Sequence, residues 1–296
     1  MRNIGLKVAV AVEASLVAGT ALAAYMPNIG KPVVGAKSYA QDLIDRSVAA
    51  HHNVSAMTIY ITLPHAKVPQ SVASTTGKTG AALTPAAAKA LKTSRTQFSY
   101  RRGQLRAAMP MFDVSNRKAG VVTLTLKGRN KRALEHEAFA IRSYLKRNTS
   151  YATNLVQKAL WDPALPLNSY AQKLVDEQLS RHPDVLIMAI HAATPKNATP
   201  EILGSNIGRI GKKDDSDDAR VVNLGQTNLE NNTDLQRYEV ELPLNDAAGK
   251  RIGALGVVFA LHGRASPEAK HLEAIRIRNA LARKIPSAAK LVETAH

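Results

Sequence analysis

Apolar and polar positions follow two periods along this chain, and each period occurs twice. After Ser38, apolar residues fall at Ala40, Leu43, Ile44 and Val48; after Ser169 they fall at Ala171, Leu174, Val175 and Leu179. This i, i+3, i+4, i+8 spacing predicts one buried helix face, and each serine stands where its side chain can cap the first turn. Each helix leads into a strand, Val54 to Leu63 and Val185 to Ala193, stopped by Pro64 and Pro195. A short second strand is expected near Ser71 to Ser74 and Ile202 to Ser205. Farther on, Tyr238, Val240, Leu242 and Leu244 alternate with Arg237, Glu239 and Glu241, and Leu105, Ala107, Met109 and Met111 repeat the pattern. The turn at Asn245 to Lys250 predicts a hairpin into Ile252 to Leu261. A closing helix follows, with Ser266 as its cap and Pro267 in its first turn.

The duplication is also visible residue by residue. Tyr39-Ala40-Gln41-Asp42-Leu43-Ile44-Asp45 reappears as Tyr170-Ala171-Gln172-Lys173-Leu174-Val175-Asp176, and the ungapped stretch Tyr39 to Gly80 matches Tyr170 to Gly211 at 14 of 42 positions. So many identities at one spacing divide the chain into two homologous modules, 38–150 and 169–290, joined by a connection at 151–168 that contains Pro163 and Pro166.

The fold class expected from this order is α+β: in each module a long N-terminal helix packed on an antiparallel sheet of about five strands, with a C-terminal helix. The arrangement resembles the extracytoplasmic PAS-like sensor modules known as Cache or PDC domains. The resemblance is carried by Ser205-Asn206-Ile207-Gly208-Arg209-Ile210-Gly211-Lys212-Lys213 and by Gly253-Ala254-Leu255-Gly256-Val257-Val258-Phe259. It implies a small-molecule site on the sheet face turned away from the long helix. No kinase, cyclase or methyl-accepting segment follows, so sensing would be reported through a membrane-bound or envelope protein partner.

The first residues set an expectation for the compartment. Arg2 and Lys7 precede Val8 to Ala24, a small and apolar run broken only by Glu13, and Ala21-Leu22-Ala23 has the A-x-A form of a signal-peptidase site. Residues 1–23 are therefore expected to be a cleaved signal peptide, leaving a periplasmic or secreted protein that is not integral to the membrane. An uncleaved anchor is the competing reading, but the run is short and interrupted for a span of roughly 20 apolar residues.

Composition sharpens this picture. With no cysteine, the chain has no disulfide, thiolate metal site or thiol nucleophile. The net charge of +17 raises nucleic acid as a partner; an extracytoplasmic location removes it, and the few aromatic residues are not interleaved with the basic run. The charge is uneven. Residues 26–165 hold 21 Lys and Arg against 6 Asp and Glu, whereas 166–296 hold 17 against 16. The basicity thus belongs to the first module, whose segment Gly77 to Gly103 contains Lys78, Lys89, Lys92, Arg95, Arg101 and Arg102 and no acid. Either this is a solvated surface, or it meets an anionic partner such as envelope polyanions or an acidic protein.

Candidate ligand residues come from strand alternation and from the glycine-punctuated turn. Met57, Ile59 and Ile61, with Met188, Ile190 and Ala192, are expected to face the core, which turns Tyr60 and His191 toward the candidate pocket. Ser205, Asn206, Arg209 and Lys212 form a second group that could hold a carboxylate or another anion; alternatively, Arg209 and the lysines neutralise Asp214 to Asp218. That acidic run lacks the spacing of an EF-hand loop, so no metal is expected, and no cofactor. Catalytic signatures are missing as well: Val72 stands where a P-loop needs glycine, His136-Glu137 is followed by Ala140 rather than a second histidine, and no G-x-S-x-G occurs. His51 and His182 recur in both modules and are expected to be structural. The sequence-level expectation is a small-molecule-binding protein, not an enzyme, with an anionic metabolite as its ligand.

Overall fold

The computed structural model describes residues 37–160, 165–166, 168–195 and 197–295. The signal-peptide reading of residues 1–23 lies outside them, as do 161–164 and 167 within the connection.

The first module runs α1 (Tyr39–Ala50), β1 (Val54–Ile61), β2 (Gln70–Ser74), α2 (Pro85–Thr93), β3 (Gln97–Arg101), β4 (Gln104–Phe112), β5 (Lys118–Lys127), α3 (Lys131–Arg147). The second repeats it as α4 (Tyr170–Arg181), β6 (Val185–Ala192), β7 (Glu201–Ser205), α5 (Ser216–Leu224), β8 (Asn228–Asn232), β9 (Arg237–Asn245), β10 (Arg251–Ala260), α6 (Pro267–Ala282), followed by the short α7 (Ala288–Leu291). Two five-stranded antiparallel sheets result, in the orders β2-β1-β5-β4-β3 and β7-β6-β10-β9-β8. The protein is α+β, and both modules have one topology.

The residues that recur in sequence recur because they hold matching contacts. Ser38 and Ser169 accept from the backbone N–H of Gln41 and Gln172, capping α1 and α4, each worth about 1 kcal/mol. Tyr39 donates to the carbonyl of Asn148 at 2.8 Å, and Tyr170 to that of Lys284 at 2.9 Å, so each opening helix is tied to the end of its closing helix. The Oε1 atoms of Gln41 and Gln172 accept from the N–H of Ser74 and Ser205 on the edge strands. His51 pairs with Glu137 at 3.2 Å and His182 with Glu273 at 2.7 Å. On one sheet face these helices enclose the cores: Leu43, Ile44, Met57, Ile59, Met109 and Ile141 in one copy, Leu174, Val175, Met188, Ile190, Leu242 and Ile277 in the other. Gly120 and Gly253 recur because a Cβ there would sit 2.1 Å from the carbonyl oxygen of Tyr60 or 1.8 Å from that of His191.

The repeat extends into the connection. Tyr39 N–H donates to Gln157 and Ala159 N–H to Lys37. In the second copy Tyr170 N–H donates to Glu293 and Ala295 N–H to Asn168. Ala152–Val156, a 3-10 turn whose Leu155 is buried in the first core, thus corresponds to α7 with its buried Leu291.

Two elements per module go beyond the predicted order: the helices α2 and α5, and the outer strands β3 and β8. The strand Asn228-Leu229-Glu230-Asn231-Asn232 has little intrinsic preference for extended structure; it is extended because it pairs along β9.

The modules contact each other through Arg237, whose guanidinium bonds Ser115 Oγ at 3.0 Å and the Oγ and carbonyl of Ser150. Asn206 donates to the Arg147 carbonyl at 2.8 Å, and Val114 packs with Ile187, Ile207 and Val258.

Candidate functional site in the second module

Strand register places the second face of each sheet. In the second module Ile187, Ala189 and His191 on β6 lie beside Val258, Gly256 and Ala254 on β10. These in turn lie beside Glu239, Glu241 and Pro243 on β9, and Glu230 and Asn228 on β8 flank the two glutamates. Small residues therefore make a floor at Ala189, Ala254 and Gly256, with His191 on one side and carboxylates on the other. A Cβ on Gly256 would lie 3.9 Å from His191 Nε2 and 3.8 Å from Glu239 Oε1.

Helix α5 closes the other side. Its N-cap Asp215 forms a capping box with Asp218, which fixes the start of the helix and turns Asp218 inward. His191 Nδ1 is 2.9 Å from Asp214 Oδ1 and 3.8 Å from Asp218 Oδ1. A carboxylate can only accept, so Nδ1 carries the hydrogen. The side chains of His191, Asp214 and Asp218 are 7%, 2% and 9% exposed. Asp214 Oδ2 is buried and makes no hydrogen bond among the described residues.

Burial of so many acids next to one another governs their charge. Burial pushes Glu239 up to about 7, reinforced by Glu230 and Asp218. Burial, the hydrogen bond to Asp218 and the charge of Glu239 push Glu241 up to about 10. At neutral pH Glu241 therefore holds a proton and donates it to Asp218. Asp218 is lowered: burial alone would raise it, but the His191 charge and the bond from Glu241 outweigh that. Burial would lower His191, yet Asp214 and Asp218 hold it above its ordinary value. The site is a cluster of four carboxyl groups around one imidazole, with Asp214 and Asp218 facing His191.

The first module closes the same place. Residue for residue, Tyr60 stands for His191, Leu83 for Asp214, Ala87 for Asp218, Ala108 for Glu241 and Thr123 for Gly256. Ala87 and Ala90 of α2 pack directly on Ala108 and Val121, with Leu83 and Leu91 beside them.

Of the residues singled out from sequence, His191 lies at the centre of this cluster. Arg209 and Lys212 lie close enough for their charges to act on Glu239 and on His191 respectively, and Lys212 Nζ is 3.6 Å from Asp215. Ser205 and Asn206 have other partners. The Ser205 hydroxyl accepts from Ile207 N–H; the Asn206 amide accepts from Met188 N–H and donates to Leu186 and Arg147. Thr75 accepts from Met57 N–H in the first module in the same way, so this is a shared fold role. Tyr60 is buried in the first module, remote in sequence and sheet from the other five.

Glu239 and Glu241 were not among the sequence candidates, because their alternation with Tyr238 and Val240 is that of a solvent-facing row. The available signal was the repeat itself: carried past Gly80 and Gly211, it sets Asp214, Asp218 and Glu241 against Leu83, Ala87 and Ala108.

No family model and no curated protein matches the chain. Among solved structures, PelD 158-CT from Pseudomonas aeruginosa PAO1 is 15% identical over 86% of this chain and 80% of that one, with a TM-score of 0.30. The same protein in complex with c-di-GMP is 16% identical over 91% and 83%, TM-score 0.31. The repressor BlcR from Agobacterium tumefaciens is 10% identical over 55% and 75%, TM-score 0.28. Overlaps of this size fall short of a common fold.

Proposed function

We propose that the chain is an extracytoplasmic binding protein of two PAS-like, Cache-type modules, without enzymatic activity, whose second module takes a small ligand through a positively charged group. The observation that carries this is the contrast between the copies: one fold is kept, while a polar cluster of His191, Asp214, Asp218, Glu239 and Glu241 beside Gly256 in one module has apolar Leu83, Ala87 and Ala108 at three of its places in the other. The fold does not call for the acids at three of these places, since the first module has Leu83, Ala87 and Ala108 there; buried acids cost free energy unless something offsets their charge.

The face lies opposite the N-terminal helix, as the Cache resemblance implies, and the extracytoplasmic part of the proposal rests on the leader-like residues 1–23. No helix among the described residues is long and apolar enough to cross a membrane. In place of the anionic metabolite expected from Arg209 and Lys212, this proposal takes a cationic ligand, on the strength of the four carboxyl groups around His191. In this reading the output passes to a membrane-bound or envelope protein.

A thermal-shift screen of amines, amino acids and carboxylic acids tests the proposal. Stabilisation by amino compounds, lost in Gly256→Val, is expected. A response confined to carboxylic acids, or none to either amines or metal ions, would sink it. N-terminal sequencing of the exported protein should begin at Ala24.

A second reading concerns the first module, where Lys78, Lys89, Lys92, Arg95, Arg101 and Arg102 are all exposed. This supports contact with envelope polyanions or an acidic partner. Binding to anionic vesicles that weakens with salt and with paired charge reversals in α2 is its test.

A further inference from the structure

We infer that the positive species held in the second module is a divalent first-row transition metal ion, bound through Nδ1 of His191 and one carboxylate oxygen each from Asp214 and Asp218. This rests on the cation-binding reading above and names the class of cation.

Three ligand atoms, one from each residue, lie within 4.8 Å of one another. Atoms bound to a common ion at about 2.0 to 2.2 Å stand roughly 3 to 4 Å apart, so sub-ångström side-chain adjustments bring the three onto one centre. The independent observation is Asp214: its side chain is 2% exposed, its Oδ1 faces the imidazole, and its buried Oδ2 lacks a hydrogen-bond partner among the described residues. A buried carboxylate oxygen without a partner costs about 1 to 3 kcal/mol or more. A cation bound through that carboxylate offsets this cost, and the proton between His191 and Asp214 leaves to solvent.

The donor set selects the metal. One imidazole with carboxylates suits zinc, manganese or ferrous iron; calcium prefers six to eight oxygens. Glu241, hydrogen-bonded to Asp218, would orient that ligand from the outer shell. In the first module Tyr60, Leu83 and Ala87 replace the three ligands, so one ion per chain is expected.

The whole chain is dialysed against a chelator, freed of it, and titrated calorimetrically with Zn²⁺, Mn²⁺, Mg²⁺ and Ca²⁺, with Co²⁺ as an absorbing probe. The expected result is one equivalent of Zn²⁺ or Mn²⁺, bound at least tenfold more tightly than Mg²⁺ or Ca²⁺. Asp214→Asn, which keeps the shape, and Asp214→Leu, which carries the first module's residue, should weaken binding at least a hundredfold and abolish the Co²⁺ spectrum while leaving the circular dichroism unchanged. His182→Ala, which removes an imidazole elsewhere, should leave binding intact. Absence of one-equivalent binding, or binding indifferent to both Asp214 variants, overturns the inference. If amines stabilise the protein and metals do not, the metal inference falls and the cation-binding proposal stands; if neither does, both fall.

Discussion

His191 and Tyr60 occupy one station in the two sheets, the first beside Ala254 on β10 and the second beside Val121 on β5. Both are buried, but His191 faces Asp214 and Asp218, whereas the first module has Leu83 and Ala87 at the corresponding places. A duplicated fold thus carries a polar cluster in one copy and apolar residues at matching places in the other.

The cluster can be crowded at Gly256 without harming the fold. A methyl group at position 256 would meet only ordinary van der Waals contacts at 3.8 and 3.9 Å, and glycine inside a strand costs about 0.5 to 1 kcal/mol relative to alanine. Gly256→Ala should therefore melt slightly higher than the parent while ligand-induced stabilisation shrinks. A fall in melting temperature would show that the floor is packed more tightly than this geometry.

Stability should fall as pH rises. Glu239 and Glu241, at about 7 and about 10, lie above the ordinary glutamate value of about 4.3. The folded protein therefore keeps protons that the unfolded chain releases, and each unit of pH between those values lowers stability. His191, raised by its acids, acts in the same direction above its ordinary value; Asp218 opposes it only at acid pH. The groups acting on the glutamates are His191, Asp218, Glu230, Asn228 and Arg209. Melting in chelator at pH 5.5 and pH 9 should differ by more than about 5 °C, and Glu241→Gln should remove much of the difference. A flat profile would mean that the cluster is hydrated.

Arg237 is the buried charged group in the contact between modules, beside the Asn206 amide and the Val114 cluster. Arg237 is 4% exposed and bonded to Ser115 and Ser150. Arg237→Ala leaves the Ser150 groups without their partner, at a cost of about 2 to 4 kcal/mol. Calorimetry should then resolve two transitions where the parent shows one, with ligand-induced stabilisation confined to one of them. A single, uniformly shifted transition would count against this role for Arg237.

The repeated histidines should prove structural. His182 and Glu273 are 25% and 31% exposed, so their pair is worth about 0.5 to 1 kcal/mol. His182→Ala should cost that much in urea melts and leave ligand affinity unchanged, and His51→Ala should behave alike.

By itself the sequence determined the duplication, the helix caps, the first strands and the core face, because each of these is a local pattern that two copies had to satisfy together. Ser38 and Ser169, Met57 and Met188, Gly120 and Gly253 were legible for that reason. The site was legible only in its first member, His191. An alternating row such as Tyr238-Glu239-Val240-Glu241 states that two faces differ, not what covers the polar one. That was decided by α5 folding over β9 and β10, which buried Glu241, half-buried Glu239 and brought Asp214 and Asp218, more than twenty residues along the chain, against the imidazole of His191. Side-chain charge is written in the sequence; whether water or another acid stands beside it depends on long-range packing.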